Sequence, residues 1–192
     1  MHSDLAAWAN FYLVTASAAA ALTGLQFIVQ TLMASESLRG FAGRDPEAGV
    51  ATFATPTVVH FALAMLISAV LCAPWPAWSA LRATLGVMTV GALVYLMIII
   101  RRARRQTIYK ITTYDWVWYL TFPIVAYTVM LAAVLAGPER GAWPPFLMAG
   151  GVLLLLCVGI HNSWDTVTYM TFMSLRADAR DEGLDEAPAD AE

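Results

Sequence analysis

The chain has 192 residues, 59% hydrophobic and only 13% charged, with a mean hydropathy of +0.63. A soluble domain is normally about 25% charged and under half apolar, so this composition excludes an ordinary soluble globular domain and points to lipid as the solvent. The formal net charge of −3 is uneven, because seven of the fourteen acids (Asp178, Asp181, Glu182, Asp185, Glu186, Asp190 and Glu192) lie in the last fifteen residues. The remainder is weakly basic with a single lysine, Lys110, and has no basic patch interleaved with aromatics, so a nucleic-acid partner is not expected.

Five apolar segments are long enough to cross a bilayer, which takes roughly 20 helical residues. They run from about 5 to 33, 57 to 73, 81 to 100, 116 to 136 and 145 to 171. The first lacks the basic start of a signal peptide and its apolar stretch runs too long for one. The second stops at Pro74-Trp75-Pro76-Ala77-Trp78, the third at Arg101-Arg102-Ala103-Arg104-Arg105, and the fourth at Gly137-Pro138. Between the first two spans, Ser35–Ala54 mixes both signs of charge and reads as a linker. Residues 177–192 are small, acidic and free of aromatics, too poor in apolar surface to fold alone; the reading is a helical domain over 1–176 followed by a disordered acidic tail.

Positive charge sets an expected orientation. Arg101, Arg102, Arg104, Arg105 and Lys110 occupy one loop, and short loops rich in Lys and Arg stay cytoplasmic. Five spans then leave the N-terminus outside and the C-terminus inside, with nine basic residues on the inner side and two, Arg82 and Arg140, on the outer. Trp8, Trp75, Trp78 and Trp143 fall at the outer interface and Trp116 and Trp118 at the inner one, where amphipathic rings are favoured.

Polar groups inside these spans are the candidate site, since intramembrane polar residues are costly and mark partners, cavities or water paths. At a rise of about 1.5 Å per residue, Gln26 lies roughly 27 Å from Trp8, His161 roughly 27 Å from Trp143 and His60 roughly 22 Å from Trp75. All three converge on the cytoplasmic third. His161, Asp165 and Thr168 share one helix face, so the carboxylate can take the imidazole N–H. Thr23, Gln26 and Gln30 share a face of the first span, and Asn162 and Thr166 form a polar stripe beside His161. The expected cluster is Gln26, Gln30, His60, His161, Asn162, Asp165 and Thr168, serving as an interhelical hydrogen-bond network or a proton or ion path. His60 and His161 are also candidate axial ligands to a haem; no cofactor is assigned.

Ala16, Ala20 and Gly24, four residues apart, are expected to form a tight packing face within the monomer or between protomers. Pro123 should kink the fourth span and free the carbonyl of Tyr119. Cys72 and Cys157 read as small buried apolar residues at different depths, without a disulfide. The nine methionines are scattered and read as gap-filling core rather than a copper ladder. No GxSxG, HExxH, CxxC or P-loop pattern occurs, and no enzymatic activity is expected.

Ala18-Ala19-Ala20-Ala21-Leu22-Thr23-Gly24-Leu25-Gln26-Phe27 and His161-Asn162-Ser163-Trp164-Asp165-Thr166-Val167-Thr168 together resemble a loosely defined family of small polytopic bacterial inner-membrane proteins without an established activity. The resemblance covers well under a fifth of the chain and implies an all-helical fold in a bacterial cytoplasmic membrane. The functional expectation is an oligomeric membrane protein whose cytoplasmic-side polar cluster serves proton- or ion-linked permeation or sensing. The alternative is an accessory or scaffold subunit bound to a larger membrane partner.

Overall fold

The computed structural model describes residues 2–36, 55–105, 112–137 and 143–185, and all regular structure among them is helical. Helix α1 spans His2–Glu36, α2 Thr55–Cys72, α3 Trp78–Arg105, α4 Thr113–Trp116, α5 Phe122–Ala136 and α6 Trp143–Asp185; a π-helical segment, Val117–Thr121, joins α4 to α5. Five helices are long and apolar enough to cross a membrane, over Ala7–Thr31, Thr55–Cys72, Trp78–Arg104, Thr113–Ala136 and Pro144–Thr168. The loop carrying Arg39 and Arg44, together with Lys110, Arg140 and the acids beyond Asp185, lies outside the described residues.

Each helix ends where its chemistry requires. Pro74 and Pro76 cannot extend α2, and Trp75 Nε1 donates to the carbonyl of Val70 at 2.6 Å, covering one of the orphan carbonyls of its last turn. At the start of α4 a capping box closes: Thr112 Oγ1 accepts from the Asp115 amide at 3.2 Å while Asp115 Oδ2 accepts from the Thr112 amide at 2.8 Å. Gly137 ends α5 at φ +69°, a conformation that suits glycine, and its amide reaches the carbonyl of Ala133. Arg82 on α3 donates from Nε to the carbonyl of Val134 at 3.1 Å, placing a cation at the negative end of α5.

Pro123 acts differently from a simple kink. It sits at the start of α5, directly after the π segment, where the Phe122 amide reaches back five residues to Val117. A proline lacks the amide for the usual bond and its ring crowds the turn before it. One extra residue in that turn relieves the crowding, and Thr121 Oγ1 donates to the carbonyl of Trp116 across the widened loop.

The helices pack as an antiparallel bundle. α1 lies chiefly against α2, α5 against α6, α3 against α5, and α2 against α6. Thr15 and Ser68 meet at 3.0 Å and Cys72 Sγ approaches the carbonyl of Ala9, so α1 and α2 run in opposite directions. The core is filled by Phe61, Ile67, Leu81, Met130, Val152 and Leu155, all essentially inaccessible. Two glycines on α6 let neighbours approach closely: a Cβ on Gly159 would collide with the Phe61 ring, and one on Gly151 would lie 2.6 Å from Met130 Cγ.

Three expectations change. Residues 177–185 continue α6 as helix rather than starting a disordered tail; alanine and arginine favour helix, and extending a formed helix carries no nucleation cost. Cys72 and Cys157 are exposed on the bundle surface instead of buried, as free cysteines. Ala20 and Gly24 face outward, with nothing within 4 Å of a Cβ at Gly24. α1 buries Tyr12, Thr15, Ala19 and Gln26 instead, so the small-residue strip is not a packing face inside the monomer.

Candidate functional site

The bundle has a Trp75 end and a basic end, the latter carrying Arg101, Arg102 and Arg104, with Arg104 poised over the Trp116 ring at 5.8 Å. The candidate polar residues divide into three groups in the half nearer the basic end.

The first group centres on His161. Its ring stacks face to face on Trp118 of the π segment, with centroids 3.5 Å apart and planes inclined by 4°. Nε2 lies 2.6 Å from the Tyr114 hydroxyl on α4, and Nδ1 lies 3.4 Å from Asn162 Oδ1. In the neutral ring one nitrogen donates and the other accepts, so Nδ1–H to Asn162 and Tyr114 O–H to Nε2 satisfy both. Both ring nitrogens therefore face partners other than Asp165. The i, i+4 spacing does place the carboxylate on the same helix, but the imidazole swings to α4, where a hydroxyl and an aromatic face hold it together. Asp165 and Thr168 remain half-buried beside it.

A second group is fully enclosed. His60 on α2 is inaccessible, and its Nδ1 lies 2.9 Å from the Tyr127 hydroxyl on α5. Tyr95 on α3 sits within electrostatic reach of both Tyr127 and Arg102.

The third group joins α1 to α6. Ser163 Oγ donates to Gln26 Oε1 at 2.6 Å and is also 2.8 Å from the carbonyl of Gly159. Thr23 and Thr166 fold back onto their own helices, at Ala19 and Asn162, the usual resort of a hydroxyl within a helix. Gln30 is half-buried at the same face of α1. Asp115, at the same end, is committed to the α4 capping box, with Thr112 Oγ1 2.9 Å from its Oδ2.

So the structure brings Gln26, His60, His161 and Asn162 into one half of the bundle, where they are hydrogen-bonded through separate pairs. Three of the four ring nitrogens of His60 and His161 have partners, and the Phe61 ring lies against Gly159. Among the described residues no three His, Cys, Asp or Glu side chains gather as metal ligands.

Tyr114, Trp118, Tyr127 and Ser163 escaped the sequence reading. Aromatics near a span end read as interfacial anchors, and a tyrosine within a span carries no mark of its partner. For Ser163 the signal was present in the quoted segment, one residue from Asn162. Comparison of the chain with protein-family models, curated proteins and solved structures returns no match.

Proposed function

We propose that the protein is a non-enzymatic multi-pass membrane protein whose basic-end half serves proton-linked sensing, with His161 as the titrating group. The observation that carries this is the His161–Trp118–Tyr114 assembly, which ties α6 to the π segment and α4 through one ionisable ring. Imidazole changes charge nearest to neutral pH. On protonation Nε2 turns from acceptor to donor, Tyr114 must turn from donor to acceptor, and the cation gains attraction to the indole face. A π turn is a weak point in a helix, so a shift there can pass to α5. Sensing suits the geometry better than permeation within one chain, because Phe61 against Gly159 and Met130 against Gly151 leave an apolar layer across the middle. Permeation would need a path between copies.

The location we infer is a bacterial cytoplasmic membrane, N-terminus outside and C-terminus inside, on the strength of the basic-residue asymmetry. A reporter fused after Glu192 that is active only in the periplasm would reverse this orientation.

The test is indole emission from the protein in nanodiscs as the pH is lowered. Protonated imidazole quenches a contacting indole, so emission should fall on acidification, and the fall should be lost in both His161→Ala and Trp118→Phe. An unchanged titration in both variants would remove His161 from the role. Liposome flux measured on wild type and on His161→Ala and Asp165→Asn separates sensing from transport: flux lost in the variants would favour permeation.

A second reading, an accessory subunit, is favoured by the outward-facing Ala20 and Gly24. Small residues on a lipid-facing helix admit close approach by another helix. Affinity purification recovering the chain alone would count against it.

A further inference from the structure

Buried polar atoms in folded proteins nearly always have hydrogen-bond partners, and in a membrane interior each one lacking a partner costs several kcal/mol. Among the described residues four buried side-chain atoms stand unpartnered: Gln26 Nε2, His60 Nε2, Tyr95 Oη and Asn162 Nδ2. Gln26, His60 and Asn162 are at most 2% exposed. With Tyr95 the four come from four helices, α1, α2, α3 and α6.

Their chemistry favours donors. The amide oxygens of Gln26 and Asn162 already face Ser163 and His161, which leaves the NH₂ groups. We assign the Tyr127 hydroxyl as donor to His60 Nδ1, so the neutral ring carries its proton on Nε2. Tyr95 contributes an O–H. With that assignment each of the four can donate a hydrogen bond, and the Tyr95 oxygen can also accept one.

They also share a height. The Gln26–Ser163 bond sets Gln26 level with Ser163 on α6, and Phe61 against Gly159 sets His60 near Ile160. Tyr95 is carried to about the same level through two registers, Arg82 with Val134 and Met130 with Gly151. With Asn162 among them, the four fall within a slab on the order of 5–8 Å at 1.5 Å per helical residue.

We propose that Gln26, His60, Tyr95 and Asn162 form a binding site for a small monovalent anion of chloride size, reached from the basic end. A cation finds no open carboxylate there, only the neutral Tyr95 oxygen, since the nearby Asp115 carboxylate is held by Thr112. A polyvalent oxyanion would need guanidinium or ammonium groups to offset its desolvation, whereas neutral N–H and O–H donors suit a singly charged sphere. Arg101, Arg102 and Arg104, exposed at the mouth, concentrate anions there. The apolar layer of Phe61, Met130 and the two α6 glycines closes the site toward the Trp75 end, so the anion enters and leaves by one door. The site does not depend on proton sensing by His161.

The test uses the full chain in nanodiscs, melted in sodium chloride, sodium bromide or sodium gluconate at matched ionic strength. A ligand bound only by the folded state raises the melting temperature with its concentration. A saturable rise in chloride and bromide but not gluconate is expected. Tyr95→Phe, the mildest change, should raise the half-saturating chloride concentration severalfold, and Gln26→Glu, which introduces a fixed negative charge, should abolish the chloride effect. Asn162→Leu should do the same; if it does not fold, Tyr95→Phe and Gln26→Glu decide. Identical melting in chloride and gluconate would overturn the proposal, leaving the donors to water. So would a chloride effect of equal strength in all the variants. Neither result bears on the indole titration of His161.

Discussion

Toward the Trp75 end, polar side chains inside the bundle hand their hydrogen bonds to identified neighbours: Thr15 to Ser68, Tyr12 Oη to the carbonyl of Pro145, Trp75 to Val70, Arg82 to Val134. Toward the arginines the same kinds of group appear, yet all four unpartnered buried atoms are there. Composition does not separate the halves, since both mix hydroxyls, aromatics and tightly packed aliphatic residues. What separates them is that one half is closed upon itself and the other retains donor capacity. A closed half is a staple between helices. An open one is suited to something that arrives from solvent, as both proton sensing and anion binding require.

The layer between the halves is the first place to break this contrast. Gly159→Ala drives a methyl into the Phe61 ring, a stiff neighbour with little room to turn. A loss of about 1–3 kcal/mol is expected for such overpacking, measured by denaturant unfolding in detergent. Gly151→Ala should cost a similar amount, because its Cβ would meet Met130 Cγ at 2.6 Å and the Ala126 carbonyl oxygen at 3.1 Å, neither a free side-chain end, whereas Gly150→Ala, with nothing within 4 Å, should be neutral. Equal effects at all three positions would mean that the layer is not tightly packed. Next in size is Tyr127→Phe, which leaves His60 Nδ1 buried without a partner and should cost about 1–3 kcal/mol. The double variant Tyr127→Phe with His60→Leu should recover much of that loss, because removing both partners removes the debt. Additive losses would show that the two side chains act separately.

The extent of the spans was legible because twenty apolar residues in a row have one solution in lipid, and Trp, Pro and Arg marked their ends. Depth was legible too: counting from the tryptophans brought Gln26, His60 and His161 to one half, and Gln26 does meet α6 at Ser163. Azimuth was not. A span apolar all round gives no stripe to say which face turns inward, so the sequence leaves open whether Ala20 and Gly24, which face out, pack within the monomer or between protomers. For the same reason the partners of His60 and His161 could not be named, and the spacing rule paired His161 with Asp165 when Tyr114 and Trp118 compete for the ring from another helix. Pro123 announced a distortion, but whether it kinks the helix or inserts a residue upstream depends on what the preceding turn packs against.

The α4 capping box offers a smaller test confined to the open half. Thr112→Ala removes the hydroxyl that accepts from the Asp115 amide and should cost about 1 kcal/mol, within the usual range for a lost cap. Fraying α4 also loosens Tyr114, so the pH response of indole emission should weaken more than global stability does. If stability falls while the response is intact, Tyr114 does not transmit the state of His161.

The gentlest comparison sets one hydroxyl in each half against the other. Ser68→Ala removes half of a satisfied pair and leaves Thr15 with only its back-bond to Tyr12. Interhelical hydrogen bonds in membrane proteins average about 0.6 kcal/mol, and a loss of that order is expected. Tyr95→Phe removes a hydroxyl that has no partner, so in gluconate no bond is lost and a buried polar group is relieved; stability should be unchanged or slightly higher. In chloride the sign should reverse, because the same hydroxyl then has an acceptor. A Tyr95→Phe loss in gluconate as large as that of Ser68→Ala would mean that Tyr95 is already satisfied, and the division between a closed and an open half would fail at α3.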